Sequence, residues 1–337
     1  MSGKDVRRLA ARASTTTPEI KRDQVARAVI GAVAGGAARV LLVQEPFRIS
    51  AAAVENLELD ASIELLDVGA ELTARDTTRA ARAMREAGAE VLIALGGDGT
   101  QRAVAKAWPD VVLLPLSTGT NNVFPLSLEA TAAGAAAGVV ASGRLNLAGL
   151  APPAKCVRIE IEGEAPDLAL IDAALVVDDA LGNFMPFLPH QLRRVVLARA
   201  EPASVGMSPI GGLLEPCSAT DDFGVEVRCT GHGGSQIRDL QVPISPGLYR
   251  TVHVAEARRV ALGEEISLEG PGLLAFDGDR ERLLAPGQKA QLRVARDGPR
   301  VLDVAGTLAR AAEVGLFVGL PPLHDGLADH GGGVDCC

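Results

Sequence analysis

Four short apolar runs punctuate the first third of the chain: "RVLLVQE" (39–45), "SIELLDV" (62–68), "VLIALGG" (91–97) and "VVLLPLS" (111–117). Each is continuous or nearly so and rich in Val, Ile and Leu, which predicts strands buried in a sheet. Between them, "TARDTTRAARAMREAG" (73–88) and "TQRAVAKAW" (100–108) have helical character, and Gly88 suits a helix C-terminus. After the fourth run "TGTNN" is expected to open an Ala-rich helix. Strands alternating with helices imply parallel strands joined by crossovers. Residues 20–149 are therefore expected to form a doubly wound α/β domain.

The pattern changes near "LAPPAKC" (150–156). From there Gly and Pro interrupt short β-type runs such as "CVRIEIEG", "LALIDAALVVDD", "RRVVLARA", "FGVEVRC" and "QLRVAR". An all-β, sandwich-like second domain over 150–299 is the expectation. "RVLDVAGTLARAAEVGLF" (300–317) returns to a strand and a helix, with 300–320 expected to fold back on the first domain and 321–337 to form a flexible tail.

Composition narrows the function classes. Of 337 residues 47% are hydrophobic and 22% charged, an ordinary globular balance, and the net charge is −9. No basic excess is available to neutralise phosphates, which argues against a nucleic-acid partner. Cys156, Cys217, Cys229, Cys336 and Cys337 show no CxxC spacing, as expected of free thiols in a reducing cytoplasm. The weakly apolar "ATAAGAAAGVVASG" (130–143) is too short to span a bilayer, so a cytoplasmic protein without a membrane partner is expected.

The chemistry concentrates at two strand ends. "GGDGT" (96–100) and "STGTNN" (117–122) lie at the carboxyl ends of successive parallel strands, where open α/β sheets bind ligands. Glycine lets the backbone approach a ligand closely, and turn amides act as anion donors. A carboxylate beside a triphosphate is repelled unless it holds a cation or takes a proton, so Asp98 reads as a Mg²⁺ ligand or a general base. Thr100, Thr118 and Thr120 offer hydroxyls, and Asn121 and Asn122 offer amides. Such residues also build plain turns and caps; two in succession on one sheet favour the phosphate reading. Neither GxxxxGK[ST] nor GxGxxG after a strand is present. Asp277 in "FDGDRE" also matches the commonest hairpin turn. His190, His232 and His253 are scattered and read as surface or satisfied residues.

"GGDGT" followed by "PLSTGTNN" resembles the superfamily that unites NAD kinases with diacylglycerol and sphingoid kinases. "LALIDAAL" (168–175), "GMSPIGG" (206–212), "VPISPG" (242–247) and "AFDGDRE" (275–281) are similar, in order, to later NAD-kinase segments. The whole is closest to the NAD-kinase-like AcoX group of acetoin-catabolism operons. The resemblance implies that Gly96, Gly97, Gly99 and Thr100 line nucleotide phosphates together with Ser117, Thr118, Gly119 and Thr120. It implies catalytic roles for Asp98 and Asp277, with Asp98 also a metal ligand. Asn121, Asn122, Asp172, Ser208, Gly211 and Gly212 would then face the substrate. Departures sit at the acceptor end: Ile171 stands where NAD kinases keep Asn, "PASVGM" (202–207) where they have Thr-Ala-Tyr-Asn, and Gly247 in place of a His.

An ATP- and Mg²⁺-dependent kinase acting on a small-molecule hydroxyl, with NAD⁺ as a candidate acceptor, is the leading expectation. The alternatives are a catalytically inactive nucleotide sensor and a lipid-kinase-like enzyme with an exposed apolar entrance in the second domain. Related kinases imply a homodimer or tetramer.

Overall fold

Side chains of β3 (Val91–Leu95) and β4 (Val112–Leu116) point alternately into two apolar layers, which is why both strands read as unbroken apolar runs. Leu92, Ala94 and Leu113 pack with α3 (Ala74–Glu86) and α4 (Asp98–Ala107) on one face. Val91, Ile93, Leu95, Val112, Leu114 and Leu116 meet α1 (Pro18–Ala34) and α5 (Ala130–Ala141) on the other. The computed structural model describes residues 9–13, 16–118, 122–234 and 236–318. Among these residues no helix is long and apolar enough to cross a membrane.

Helices α1 and α5 touch backbone to backbone. A Cβ on Gly31 would lie 2.1 Å from the Thr131 carbonyl oxygen, and one on Gly138 2.0 Å from that of Ala32. Small residues at these positions set the interhelical distance.

The parallel strands fall into two groups. β1 (Arg39–Val43) pairs with β2 (Ser62–Leu66) across the short helix α2 (Ile49–Val54) that connects them, while β3 and β4 pair with β16 (Arg300–Val301) in the order β16-β4-β3. Between β1 and β3 lies a cavity of about 500 Å³, lined mainly by apolar side chains and reaching Thr100. After β16, α7 (Val304–Glu313) returns to this face, where Val304 joins the α5 core.

The Ala-rich helix does not start at "TGTNN". It begins at Ala130, where the Glu129 carboxylate accepts the Thr131 and Ala132 amides at 2.7 and 3.1 Å. The Leu126 amide bonds Pro115 O at 2.8 Å, and the Ser117 amide bonds Leu126 O at 2.9 Å. Those bonds lay Leu126 along the end of β4, and Pro125 keeps Phe124 out of helical geometry.

The second half is antiparallel. A seven-stranded sheet has the order β10 (Arg238–Ser245), β11 (Leu248–Ala261), β9 (Phe223–Thr230), β8 (Leu192–Leu197), β7 (Asp172–Val176), β13 (Gly272–Phe276) and β14 (Asp279–Leu284). Against it packs a four-stranded sheet of β12 (Ile266–Glu269), β15 (Lys289–Ala295), β5 (Cys156–Ile161) and β6 (Asp167–Ala169). Ile159, Leu175, Val196, Leu274, Phe276 and Leu292 fill the space between them. The single run "LALIDAALVV" becomes two strands, β6 in one sheet and β7 in the other, with Leu170 and Ile171 forming the corner.

Candidate active site

Asp98 is the first residue of α4, with Gly97 as the N-cap. Its carboxylate turns sideways, so that Oδ1 accepts the Phe124 amide at 2.8 Å, and both oxygens lie 3.2 Å from the Val123 amide. This bond joins the β3–α4 turn to the segment that follows β4. The same two turns meet again at Gly97, where a Cβ would lie 2.7 Å from Asn122 Oδ1, and Asn122 Nδ2 donates to Ser117 Oγ at 3.0 Å. On the outer side Thr16 Oγ1 donates to the Thr118 carbonyl. Gly119, Thr120 and Asn121 lie outside the described residues.

The antiparallel half brings further carboxylates to Asp98. Asp277 and Gly278 are the two central residues of the β13–β14 hairpin, with φ of 50° and 87°, a type I′ turn. The turn presents the Asp277 carboxylate to the β6–β7 corner, where it accepts amides from Leu170 at 2.9 Å, Ile171 at 2.7 Å and Asp172 at 3.3 Å. Asp277 is thus both hairpin turn and corner clamp. Asp172, 6% exposed at the start of β7, leaves Oδ1 without a hydrogen-bond partner.

Arg102, one turn into α4, holds the halves together. It pairs with Asp167 at 2.8 Å and with Glu281, donates to Leu168 O at 2.5 Å, and lies 5.0 Å from the centre of the Phe276 ring. Lys106 adds a second contact to Asp167 at 2.8 Å. The ends of this clamp are α4, which starts with Asp98, and the hairpin, which carries Asp277.

Crowding of carboxylates in a dry site shifts their titration. Burial, with the charge of Asp277 adding to it, raises Asp98 to about 7, although the residue keeps a partly exposed edge. Burial and the neighbouring Asp277 and Asp98 push Asp172 well above the ordinary carboxylate range. Burial raises Asp277 to about 6, opposed by Arg102 and its three amides. At neutral pH the group holds fewer charges than carboxylates.

Among the described residues, no group of three or more His, Cys, Asp or Glu side chains is placed to hold a metal ion. Asp98 and the unpartnered Oδ1 of Asp172 are too few hard donors for an ion that does not arrive largely held by phosphate oxygens.

Ser208, Gly211 and Gly212 do not line the cleft surface. All three are buried in α6 (Ser208–Gly212). Ser208 Oγ donates to Arg199 O and accepts the Glu201 amide, both at 2.9 Å. A Cβ on Gly211 would lie 2.3 Å from Leu197, and one on Gly212 2.6 Å from the Glu201–Pro202 backbone. These residues brace the chain after β8 from behind. That segment carries Arg199, which sequence reasoning passed over together with Arg102, Asp279 and Arg280. Arg199 in "VVLARA" and Arg102 in "QRAVAKA" are charges inside apolar runs, and that was the available signal. Cys156, Cys217 and Cys229 are free and buried.

Comparison with known proteins places this geometry. Residues 8–144 match the ATP-NAD kinase N-terminal domain, and residues 155–297 the acetoin catabolism protein X C-terminal domain. Acetoin catabolism protein X of Cupriavidus necator is 31% identical over 339 aligned residues, covering 95% of this chain and 92% of that protein. The crystal structure of yeast NADH kinase complexed with NADH has the same fold, with a TM-score of 0.50 and 11% identity over 90% of this chain and 85% of that one. A parallel α/β half joined to an antiparallel half, with the Gly-Gly-Asp-Gly-Thr turn between them, is thus an NAD-kinase-like architecture, and the chain belongs to the acetoin catabolism protein X family.

Proposed function

We propose that this protein is a kinase-type phosphotransferase that moves the γ-phosphoryl group of MgATP to a hydroxyl of a small molecule, with NAD⁺ the first acceptor to test. The observation that carries the reading is Asp98. It is a carboxyl raised to about 7, at the end of a parallel strand and the start of a helix, beside the unpartnered Oδ1 of Asp172.

A base with a pKa near the working pH is half ionised and still basic enough to take a proton. The Val123 and Phe124 amides fix its orientation, leaving Oδ2 the less engaged oxygen. In the reaction an acceptor hydroxyl gives its proton to Asp98 as its oxygen bonds to the γ-phosphorus. The bond from that phosphorus to the β–γ bridging oxygen breaks, and ADP leaves. Asp172 Oδ1 is open to a second polar group of the acceptor. The start of α4 offers amides and the positive end of a helix dipole to phosphate. Asp98 would hold Mg²⁺ only in place of acting as base, so in this step the ion would be held by the phosphate oxygens, whose charge it would neutralise. The apolar cavity that reaches Thr100 has the size of a small-molecule site and suits the nucleotide base.

The test is calorimetric titration with MgATP and with NAD(H), paired with product analysis over a panel of hydroxyl compounds that includes NAD⁺. Binding with transfer to one acceptor supports the reading. Nucleotide binding without any product replaces it with a sensor, and absence of nucleotide binding removes it.

A further inference from the structure

We propose that Arg199 forms an oxyanion subsite beside Asp98, which takes either the phosphoryl group in transfer or an acid group of the acceptor.

Arg199 follows β8 and is 7% exposed. A guanidinium has five N–H donors and no acceptor. Here Nη1 reaches Val123 O at 3.3 Å and the Glu201 carboxylate only at 4.0 Å, and Nε has no partner. The other buried arginines of the cleft are placed differently. Arg102 holds Asp167 and Glu281, and Arg280, although its Nη2 is also unpartnered, is neutralised by Asp179 at 3.0 Å. Among the described residues no carboxylate lies closer than 4.0 Å to Arg199. A buried cation with an empty donor edge is costly unless something anionic fills it.

Its neighbours tie Arg199 to the base, whose charge it also feels. Val123 and Phe124 give their amides to Asp98, while the Val123 carbonyl and the Phe124 ring, 4.8 Å from the guanidinium carbon, receive Arg199. One dipeptide therefore carries the base on one side and the arginine on the other. Ser208 pins the Arg199 backbone, and Gly211 and Gly212 let α6 pack directly behind it. The head group is held by stacking and by backbone, as preorganised binding of a planar oxyanion requires. The kinase reading supplies a purpose for this subsite, but its test does not depend on that reading.

The experiment compares wild type with Arg199→Gln and Arg199→Lys, each checked for folding by circular dichroism. The probes are sodium phosphate against sodium chloride at equal ionic strength, MgADP with and without aluminium fluoride, and glycerate. Phosphate is expected to stabilise wild type beyond chloride, and its affinity to fall about tenfold to a hundredfold in Arg199→Gln, with partial recovery in Arg199→Lys. If the anion is the phosphoryl group, fluoroaluminate tightens MgADP binding in wild type but not in Arg199→Gln. If it is an acid group of the acceptor, glycerate binding is lost in Arg199→Gln and the fluoroaluminate gain survives. Equal phosphate binding by wild type and the folded variants overturns the subsite, as does a wild type that responds to phosphate no more than to chloride. Should Arg199→Gln fail to fold, Arg199→Lys and the wild-type salt comparison decide. A phosphate response that depends on Arg199, in a protein that binds no MgATP, keeps the subsite and removes the kinase.

Discussion

Asp98–Gly99 and Asp277–Gly278 are the same dipeptide put to two uses within electrostatic reach of each other. The first opens a helix after a parallel strand, and its carboxylate is bonded to two amides of the segment that follows β4. The second closes an antiparallel hairpin, and its carboxylate is taken up by three amides at a corner between two sheets. Each owes its raised pKa chiefly to burial and each residue is partly exposed; what separates them is that two amides hold Asp98 and three hold Asp277. A carboxylate in an acidic cluster is a candidate base when its hydrogen bonds orient it without filling it.

Substitutions can break that contrast. Asp98→Asn is expected to lower phosphoryl transfer about a hundredfold to ten-thousandfold while the far-ultraviolet spectrum stays unchanged. Equal turnover in the two proteins would move the base elsewhere. Asp277→Ala should act on folding, because it strands three amides at the corner. A loss of about 3 kcal/mol is expected in urea unfolding, with Asp277→Asn losing less because it keeps one acceptor oxygen.

Titration sharpens the contrast. With Asp98 raised to about 7, transfer efficiency should rise about tenfold per pH unit below that value and level off above it. Stability runs the other way. The unfolded chain releases this proton near its ordinary 3.8 and the folded protein near 7, so the contribution of Asp98 to stability falls between those values and is flat above. Asp98→Asn should remove that part of the slope in a pH series of urea melts.

The smallest effects are expected at the paired glycines. Gly278→Ala forces a left-handed residue with φ of 87° and should cost about 1 kcal/mol. Gly99→Ala gains helix propensity and presses on a movable oxygen, Asp279 Oδ2, at 3.0 Å. Its unfolding free energy should stay within about 0.5 kcal/mol of wild type.

Much of the fold was legible locally. The runs at 39–45, 62–68, 91–97 and 111–117 lie on the four parallel strands β1 to β4; β4 is buried at every position, as an unbroken apolar run requires, whereas β1 and β2, expected to be buried, are only partly covered. The helix expected at "TGTNN" starts later, at Ala130, after Leu126 has bonded to Pro115 and Ser117 at the end of β4. "LALIDAALVV" reads as one strand and is two, because hydrophobic pattern records burial and not which sheet does the burying.

Sequence alone settled the order of parallel and antiparallel halves and pointed to the acid at 98, since strand periodicity and a glycine-framed carboxylate are properties of neighbouring residues. Tertiary structure decided that Asp277 holds a corner, that Ser208 supports Arg199 from behind, and that Asp98, Asp172 and Asp277 share one dry site. Those outcomes depend on contacts between residues 9 to 179 positions apart, such as Ser208 with Arg199, Asp98 with Val123 and Arg102 with Glu281. Only the packed chain can bring such groups close enough to change each other's charge.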